Sequence, residues 1–363
     1  MSGVYISYPF CSRKCTYCNF YSGVFTAELE RDYQQALFEE VARWNWSWIP
    51  ETLYLGGGSP SRMPIEFLAR LLEKIPGRPW KEATIEVVPG EVTPEKARSW
   101  RQLGLNRASL GAQSFVQREL RATGRLHDAL MIARDFQWLR EAGFERVNID
   151  LIAGLPYQTL ESWRVSLDWI RRLQPDHVSV YMLEIDEKSR LGREILQGGT
   201  RYHAQAVPSE DMVVTLYELA AGELENLGIH QYEISNFARR GFESLHNLKY
   251  WRLEHYVGFG ADAHSYDGTW RWRNAETPVE YVNRYRQGLP FDVERVLADP
   301  VSERLFLGLR LREGVCLSAE ERERFNEAIE QLVASGLLEL EGARLRLTSR
   351  GLLLSNEVFQ AFV

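Results

Sequence analysis

The sequence has no long apolar run and no excess of basic side chains. Its most apolar stretch, Val178–Leu183, is far shorter than the roughly 20 residues needed to cross a bilayer. The 43 Lys and Arg residues against 50 Asp and Glu residues give a net charge of −7. This balance argues against the cationic surface that nucleic acids or anionic membranes require. Met1 leads almost at once into a strand-like segment without an apolar leader, so we expect a cytoplasmic protein.

Cysteine is also scarce, and its four residues are unevenly placed. Four cysteines in 363 residues are too few for a disulfide scaffold. Three of them lie within Cys11–Cys18, and Cys316 stands alone near the other end of the chain. In a reduced compartment, such a triplet indicates a metal site.

Short β-rich runs alternate with longer segments of helical period over the first half of the chain. The predicted strands are Val4–Pro9, Thr52–Leu55, Thr84–Val88, Arg107–Leu110, Arg146–Ile152 and His177–Leu183. The predicted helices are Glu28–Arg43, Ile65–Ile75, Pro94–Leu103, His127–Ala142 and Thr159–Leu173. Such alternation is typical of a parallel sheet with helical crossovers. We therefore predict an α/β fold with a partial (β/α)6 barrel.

The pattern changes after Pro208. A helical run to Leu227 precedes an aromatic-rich stretch, His230–Arg286, that we expect to be irregular. A break at Leu297–Pro300 opens a last segment that reads helix, helix, helix, hairpin, helix, which indicates a small winged-helix-like domain. This segment holds more acidic than basic side chains, so we do not expect it to bind DNA.

The triplet has the spacing C-x3-C-x2-C and follows the first predicted strand. Three thiolates on one short loop can bind three irons of a cubane cluster, leaving the fourth iron open to a substrate. Structural zinc is the alternative, but it needs four ligands, and the next Cys or His along the chain is His127. The ligand count therefore favours an iron–sulfur cluster, with Cys11, Cys15 and Cys18 as its ligands.

Other polar and glycine residues fall where a parallel barrel places its active site. Gly56-Gly57-Gly58-Ser59-Pro60 ends the second predicted strand, and its glycines let backbone approach a ligand closely; an ordinary turn is the alternative. Glu86, Gln113 and Asp150 lie in or just beyond the next three strands. Each alone could be a cap or a solvated side chain. Together, at the carboxyl ends of strands, they predict a site.

The cysteine spacing after a first barrel strand resembles the radical S-adenosylmethionine (SAM) superfamily. That resemblance implies a [4Fe-4S] cluster whose open iron is chelated by the amino and carboxylate groups of SAM. It further implies that the reduced cluster can cleave SAM to a 5′-deoxyadenosyl radical, with the protein supplying position and exclusion of water.

Longer motifs narrow the resemblance to the family that contains oxygen-independent coproporphyrinogen III dehydrogenase and a related heme chaperone. They are Tyr5–Cys11, Gly111–Phe115, Gly124-Arg125 and Asn148–Pro156. Besides the cysteines, the resemblance implies SAM contacts from Tyr5, Tyr17 (main chain), Gly57, Gly58, Ser59, Glu86, Gln113, Arg125 and Asp150. Whether one or two SAM molecules bind stays open.

Two features favour the heme-chaperone branch over the dehydrogenase. The dehydrogenase has a fourth cysteine two residues after the third, whereas this chain has Phe20 there. Tyr232–Ala238 and the H-N-x-x-Y-W motif of His246–Trp251 resemble the chaperone branch. The resemblance then implies heme or another tetrapyrrole as cargo and delivery to a recipient hemoprotein, such as one at a membrane. The alternatives are oxidative decarboxylation of coproporphyrinogen III and radical chemistry on another tetrapyrrole.

His246 is the heme ligand that the motif suggests, since a neutral imidazole can bind heme iron. The alternative is a histidine hydrogen-bonded within the core, and His255 and His264 are rival ligands. The resemblance covers nearly the whole chain. It implies a radical SAM barrel over residues 1–230, a connecting region with the H-N-x-x-Y-W motif over 231–296, and a C-terminal domain over 297–363.

Overall fold

The computed structural model describes residues 2–363, and fifteen strands form within that range. They are β1 (Ser2–Tyr8), β2 (Thr52–Gly57), β3 (Glu82–Val87), β4 (Arg107–Gln113), β5 (Arg146–Ala153), β6 (His177–Met182), β7 (His230–Gln231), β8 (Asn236–Ala238), β9 (His255–Phe259), β10 (His264–Tyr266), β11 (Trp270–Asn274), β12 (Asp292–Leu297), β13 (Val315–Cys316), β14 (Leu338–Glu341) and β15 (Arg344–Leu347).

Fourteen α-helices connect or follow these strands in the same part of the chain. They are α1 (Ala27–Arg43), α2 (Ile65–Leu72), α3 (Pro94–Gln102), α4 (Gln117–Ala122), α5 (Ala129–Glu141), α6 (Leu160–Leu173), α7 (Arg190–Leu196), α8 (Glu210–Asn226), α9 (Leu245–Trp251), α10 (Pro278–Arg286), α11 (Pro300–Gly308), α12 (Ala319–Ala334), α13 (Ser349–Leu353) and α14 (Ser355–Gln360). Side-chain caps fix several helix starts; Thr93 Oγ1, for example, accepts from Lys96 N at 3.2 Å at the start of α3.

Twelve strands form one sheet in the order β12-β11-β10-β9-β1-β2-β3-β4-β5-β6-β8-β7. Strands β1 to β6 are parallel neighbours, and β9 joins them parallel to β1 on its other side. Antiparallel strands extend both ends of this parallel block. The parallel strands are almost fully buried, which is typical of a sheet covered by helices. The α/β partial barrel predicted from sequence is confirmed.

Two predictions about the second half of the chain are wrong. The stretch His230–Arg286 is not irregular, since it supplies five strands and two helices, including the seventh parallel strand, β9. In the last segment, two helices rather than three precede the hairpin β14–β15, and two rather than one follow it. Helix α12 is bent at Phe325, whose φ of −113° and ψ of 16° leave the helical region.

Candidate functional site

The loop that leaves β1 carries the three cysteines. Hydrogen bonds fix its two ends, since Cys11 N donates to Gly23 O at 2.8 Å and Gly23 N donates to Pro9 O at 2.9 Å. All three thiols are free and half-buried. They line one cavity of about 620 Å³ at the carboxyl end of the barrel. The sheet therefore presents the triplet where parallel barrels place their active sites.

The environment of the thiols is partly desolvated. Burial raises the pKa of Cys11, opposed by hydrogen bonds from Ser59 and Ser22. Cys18 Sγ lies 3.7 Å from Ser22 Oγ. Among residues 2–363, no three His, Cys, Asp or Glu side chains converge as ligands of a single ion. A cubane cluster takes one thiolate per iron, so three free thiols facing one cavity are a donor set that fits it.

The glycine run at the end of β2 packs directly against the strand that carries the cysteine loop. Gly57 has a φ of +104°, a backbone conformation that residues other than glycine rarely adopt. A Cβ on Gly58 would lie 2.7 Å from the carbonyl carbon of Pro9. Gly57, Gly58 and Ser59 also line the cavity. The glycines thus allow a close approach of two backbones, and they leave room beside the thiols.

Two half-buried carboxylates, Glu86 and Asp150, face the same cavity. Tyr54 Oη donates to Glu86 Oε1 at 3.0 Å, and Asn148 Nδ2 donates to Asp150 Oδ1 at 2.7 Å. Burial, reinforced by the charge of Asp150, raises the pKa of Glu86 to about 7. Burial also raises the pKa of Asp150. Such carboxylates are suited to an ammonium group or to hydroxyl donors that replace the lost water.

Gln113 supplies an acceptor that has no donor. It has φ +68° at an irregularity in the β4–β5 pairing between Leu110 and Gln113. Its Oε1 atom is buried and has no hydrogen-bond partner within residues 2–363. A buried amide oxygen without a partner is costly, and a ligand with an N–H or O–H group would satisfy it. Gln113 therefore fits a polar ligand in this cavity.

Arg125 brings a positive charge to the cavity wall beside the cysteines. Its Nη2 atom donates to Tyr17 Oη at 2.9 Å, and Tyr17 itself lies on the cysteine loop between Cys15 and Cys18. A guanidinium held in this way can pair with a carboxylate. The cavity therefore combines thiols, carboxylates, an amide and one guanidinium.

Tyr5 is the member of the predicted set that does not line the cavity. Its ring stacks on Tyr54 at 6.0 Å between centroids, and a Cβ on Gly56 would lie 2.9 Å from its Cε2 atom. Tyr5 therefore supports the glycine run and the residue that holds Glu86. Direct contact of Tyr5 with SAM stays a prediction.

His246 lies at the opposite end of β1 from the cysteines. It is buried on α9, where its Nδ1 is 2.9 Å from Thr52 Oγ1 and its Nε2 is 2.8 Å from Tyr250 Oη. Burial lowers its pKa to about 3. A Cβ on Gly3, near the start of β1, would lie 3.1 Å from its ring. Both ring nitrogens are engaged, so ligation of iron by His246, which stays a prediction, requires release of one hydrogen bond.

Tyr250 and Trp251 of the H-N-x-x-Y-W motif pack against neighbouring side chains, whereas the two histidines that follow the motif are exposed. The Tyr250 ring packs edge-on against Tyr256, and Trp251 lies beneath the guanidinium of Arg310 at 4.3 Å. The two rival histidines, His255 and His264, are exposed on β9 and β10. Tyr250 and Trp251 thus act here as packing residues of α9.

Sequence reasoning missed two polar residues that shape the site and its base. His127 lines the cavity, and its Nε2 is 3.1 Å from Ala112 O, which fixes the backbone just before Gln113. At the other end of the barrel, the fully buried Glu82 accepts from Leu245 N at 3.0 Å and His246 N at 2.9 Å, capping α9. The sequence held one indication for His127, because this residue lies just after the Gly124-Arg125 motif. Only the tertiary pairing reveals the role of Glu82.

Known families match the two ends of the chain. The radical SAM superfamily matches residues 5–170, and the HemN C-terminal domain matches residues 297–354. The solved structure of coproporphyrinogen III oxidase (HemN) from Escherichia coli is similar in fold, with a TM-score of 0.85 at 22% identity over 99% of this chain and 89% of that one. The fold and the cysteine loop define a protein of the radical SAM class.

Relatives over the full length are more specific. The heme chaperone HemW of Bacillus subtilis is 35% identical, covering 100% of this chain and 99% of that protein. HemW of Mycobacterium tuberculosis H37Rv is 34% identical, covering 99% and 94%. A mitochondrial radical SAM domain-containing protein 1 of Danio rerio is 28% identical, covering 97% and 83%. The chain belongs to the heme chaperone HemW family. No helix within residues 2–363 is long and apolar enough to cross a membrane.

Proposed function

We propose that this protein is a cytoplasmic heme chaperone that holds a [4Fe-4S] cluster and SAM, binds heme and passes it to a recipient hemoprotein. The observation that carries the proposal is the shared cavity. Three free thiols on one loop line it together with Gly57, Glu86, Gln113, Arg125 and Asp150. Membership of the HemW family supports heme as the cargo. The proposal also includes the division of the chain into a radical SAM barrel over residues 1–230, a connecting region over 231–296 and a C-terminal domain over 297–363.

In this proposal the residues of the cavity divide the binding work by their chemistry. Cys11, Cys15 and Cys18 would each hold one iron of the cluster, which supplies an open iron and one-electron chemistry when bound. Arg125 suits a carboxylate, and the desolvated Glu86 and Asp150 suit ammonium or ribose hydroxyl groups. The main chain of Tyr17, Gly57 and Gly58, with Ser59, would complete the SAM contacts beside the thiols.

Anaerobic reconstitution tests the cluster. We expect wild-type protein to take up iron and labile sulfide, and we expect alanine in place of any one of the three loop cysteines to abolish the stable cluster. Cys316→Ala is the matched control, because Cys316 is exposed and outside the cavity. Zinc in place of iron, or neither iron nor sulfide in the wild type, would overturn the proposal.

A heme titration followed by the Soret band tests the cargo and its ligand. We expect His246→Ala to weaken heme binding if His246 leaves its hydrogen bonds to bind iron. His255→Ala and His264→Ala serve as controls, since both side chains are exposed on neighbouring strands. Unchanged affinity in His246→Ala would refute the ligand assignment. Selective loss in either control would move the assignment to that residue.

The dehydrogenase alternative is tested with the same reconstituted protein. Anaerobic incubation with SAM, reductant and coproporphyrinogen III should leave the tetrapyrrole unchanged. Stoichiometric formation of protoporphyrinogen IX would overturn the chaperone proposal. Phe20, which occupies the position of the dehydrogenase's fourth cysteine, lines the cavity and is 64% exposed. Phe20→Cys therefore makes a direct comparison of the two branches in one scaffold.

A further inference from the structure

A chain of hydrogen bonds leads from the cysteine-lined cavity to the opposite end of the barrel. It starts at Asp150, which lines the cavity, and Asn148 Nδ2 donates to Asp150 Oδ1 at 2.7 Å. His177 Nδ1 lies 2.7 Å from Asn148 Oδ1, and His177 Nε2 lies 2.9 Å from Tyr232 Oη. Ser244 N then donates to Tyr232 Oη at 3.3 Å. Ser244 is the N-cap of α9, so the chain ends at the helix that carries the H-N-x-x-Y-W motif.

The donors and acceptors of this chain all run in one direction. The Asn148 amide nitrogen donates to Asp150 and also to Ser109 Oγ at 2.7 Å, so the amide oxygen is left to accept from His177. We therefore assign the proton of His177 to Nδ1, and its Nε2 accepts from the Tyr232 hydroxyl. Burial lowers the pKa of His177 well below its usual value, which keeps the ring neutral. Neither His177 nor Asn148 can turn without breaking a bond of the chain.

The chain passes through the interior of the barrel and joins elements that are distant in sequence. Asn148 on β5 and His177 on β6 are each 1% exposed, and Ser244 at the start of α9 is fully buried. The interior of a parallel barrel is ordinarily filled by apolar side chains. A buried polar chain costs the desolvation of every group along it, and this cost is offset only while each bond is kept. Such a chain is therefore sensitive to a change at either end.

The far end of the chain fixes the first turn of α9. Ser244 Oγ accepts from Asn247 N at 3.4 Å and donates to Glu82 Oε1 at 3.2 Å. His246 lies in the same turn, and both of its ring nitrogens are engaged. Since iron ligation by His246 requires release of one of these bonds, the local stability of this turn sets how readily His246 is released.

We propose that this chain couples ligand occupancy of the cavity to the local stability of α9, with His177 and Tyr232 as its positioning residues. The inference rests on the proposed function, in which SAM contacts Asp150 and α9 carries the heme ligand. A ligand hydroxyl or ammonium group that donates to Asp150 draws charge away from its bond with Asn148, which weakens the first bond of the chain. The bonds behind it then hold the first turn of α9 less tightly. SAM binding therefore makes His246 easier to release, and by reciprocity heme and SAM change each other's affinity by the same factor.

Hydrogen exchange followed by mass spectrometry tests the coupling in the cluster-reconstituted protein. We expect SAM to speed exchange at the amides of residues 245–251 by about threefold or more in the wild type. Tyr232→Phe removes the hydroxyl that joins His177 to Ser244, so we expect SAM to bind this variant without changing exchange in α9. Equal SAM effects on α9 in the two proteins would overturn the proposal. Slower exchange in α9 on SAM binding would also overturn it, because the chain fixes the sign of the effect.

Tyr217→Phe is the matched control. Tyr217 lies on α8 and is 4% exposed, and its hydroxyl donates to Ile234 O, outside the chain. The control therefore loses a comparable buried hydrogen bond. We expect Tyr217→Phe to keep the SAM effect on α9. Loss of the effect in both Tyr217→Phe and Tyr232→Phe would overturn the assignment to the chain, because any damage to this region would then remove it.

His177→Gln and His177→Leu add a rescue test. A glutamine amide has a donor and an acceptor and can replace part of both histidine bonds, whereas leucine can make neither. We expect part of the SAM effect on α9 to return in His177→Gln relative to His177→Leu. Equal effects in the two variants would show that position 177 acts by packing alone and would overturn its role as a positioning residue.

A heme titration gives the readout at the far end of the chain. We expect SAM to raise the heme affinity of the wild type by about threefold or more and to leave that of Tyr232→Phe unchanged. A wild-type heme affinity that does not respond to SAM would overturn the proposal.

A double-mutant cycle on the protein without cluster or SAM separates this proposal from the proposed function. Asp150→Ala removes the cavity end of the chain, and Tyr232→Phe breaks its middle. We expect each single variant to speed exchange in α9 and the double variant to add little, because both changes break one chain. Additive effects would overturn the coupling whether or not SAM and heme bind. Failure of the wild type to bind SAM or heme would remove the proposed function and leave the result of this cycle intact.

Discussion

At the scale of single residues, burial sets the chemistry of the cavity. Burial raises the pKa of both Glu86 and Asp150, and the charge of Asp150 raises the pKa of Glu86 further. Gln113 presents an oxygen without a donor, and its backbone is held in place by His127. Without a ligand, these polar groups cost free energy because they lack hydrogen-bond partners or solvation; a ligand that binds them would remove this cost. The cavity is therefore prepared for a cationic, hydroxyl-rich molecule.

The raised pKa of Glu86, about 7, predicts a pH dependence of SAM binding. The ionised carboxylate attracts an ammonium group, so affinity should fall as the pH drops below about 7 and protonates Glu86. Isothermal titration from pH 5.5 to 8.5 should show this loss in the wild type. Glu86→Gln should bind more weakly at pH 8 and show little dependence on pH. A wild-type affinity that does not change across this range would contradict the prediction.

The same raised pKa predicts how the ligand-free protein responds to pH. The folded state holds the proton of Glu86 more tightly than the unfolded state, whose pKa is near 4.5. Its contribution to stability is therefore present below pH 4.5 and is lost as the pH rises through about 7. We expect Glu86→Gln to raise the melting temperature more at pH 8 than at pH 5. Glu28→Gln, on the exposed start of α1, should show no such difference.

Gly58 predicts a steric effect on the cysteine loop. Since a Cβ at this position would lie 2.7 Å from the carbonyl carbon of Pro9, Gly58→Ala should displace the backbone that leads into Cys11. We expect loss of cluster retention, measured as iron per chain. Gly222→Ala is the control: its Cβ would meet nothing within 4 Å on the helix α8, and it should gain about 0.5–1 kcal/mol of stability. Full iron content in Gly58→Ala would contradict the prediction.

At the scale of elements, local pattern predicted most of the barrel and missed its completion. The six strands β1 to β6 and five helices between them, α1, α2, α3, α5 and α6, were predicted from the alternation of β-rich and helical patterns, because each strand and each helix is contiguous in sequence. The short helix α4 was not predicted. Strand β9 could not be predicted in this way, because it pairs with β1 and this pairing joins His255 to Ser2, which are far apart in the sequence. The cavity residues on strand ends were predicted from position. The capping of α9 by Glu82 was not, because nothing local links residues so distant in sequence.

Glu82 predicts a large loss of stability at the closed end of the barrel. Its carboxylate accepts from the first backbone groups of α9 and lies 3.5 Å from Arg146 Nη1. Replacing it with alanine leaves buried backbone donors without an acceptor, and it removes the carboxylate that faces the half-buried Arg146 and the fully buried Arg107, whose Nε lies 4.0 Å from Glu82 Oε2. We expect a cost of about 3–5 kcal/mol in urea unfolding, with a smaller cost for Glu82→Gln. Glu323→Gln, exposed on α12, is the control. A cost below that of the control would refute the capping role.

At the scale of the whole molecule, one arginine joins three parts of the chain. The Arg310 guanidinium lies 4.3 Å from the Trp251 ring of α9 and 5.9 Å from the Phe359 ring of α14. Its Nη2 atom is 3.6 Å from Oε2 of the buried Glu233. The C-terminal segment is therefore attached to the H-N-x-x-Y-W helix by packing and charge together.

Arg310→Ala should loosen this attachment. It removes the ring contacts and leaves the Glu233 carboxylate without its cation, so we expect a loss of about 3 kcal/mol or more. Hydrogen exchange should rise in α9 and α14 together. Arg310→Lys should recover part of the stability, because it keeps the charge but not the planar stacking. Faster exchange confined to α14 would show that α9 does not depend on this contact.

The place of β9 beside β1 carries a consequence for biosynthesis. The strand that leads into the cysteine loop has one neighbour made early, β2, and another, β9, that begins only at His255. In a ribosome-bound nascent chain, the edge of β1 that pairs with β9 therefore stays unpaired until residues 255–259 have been translated. The loop of Cys11–Cys18 therefore reaches its final setting only after β9 has been made and has paired with β1.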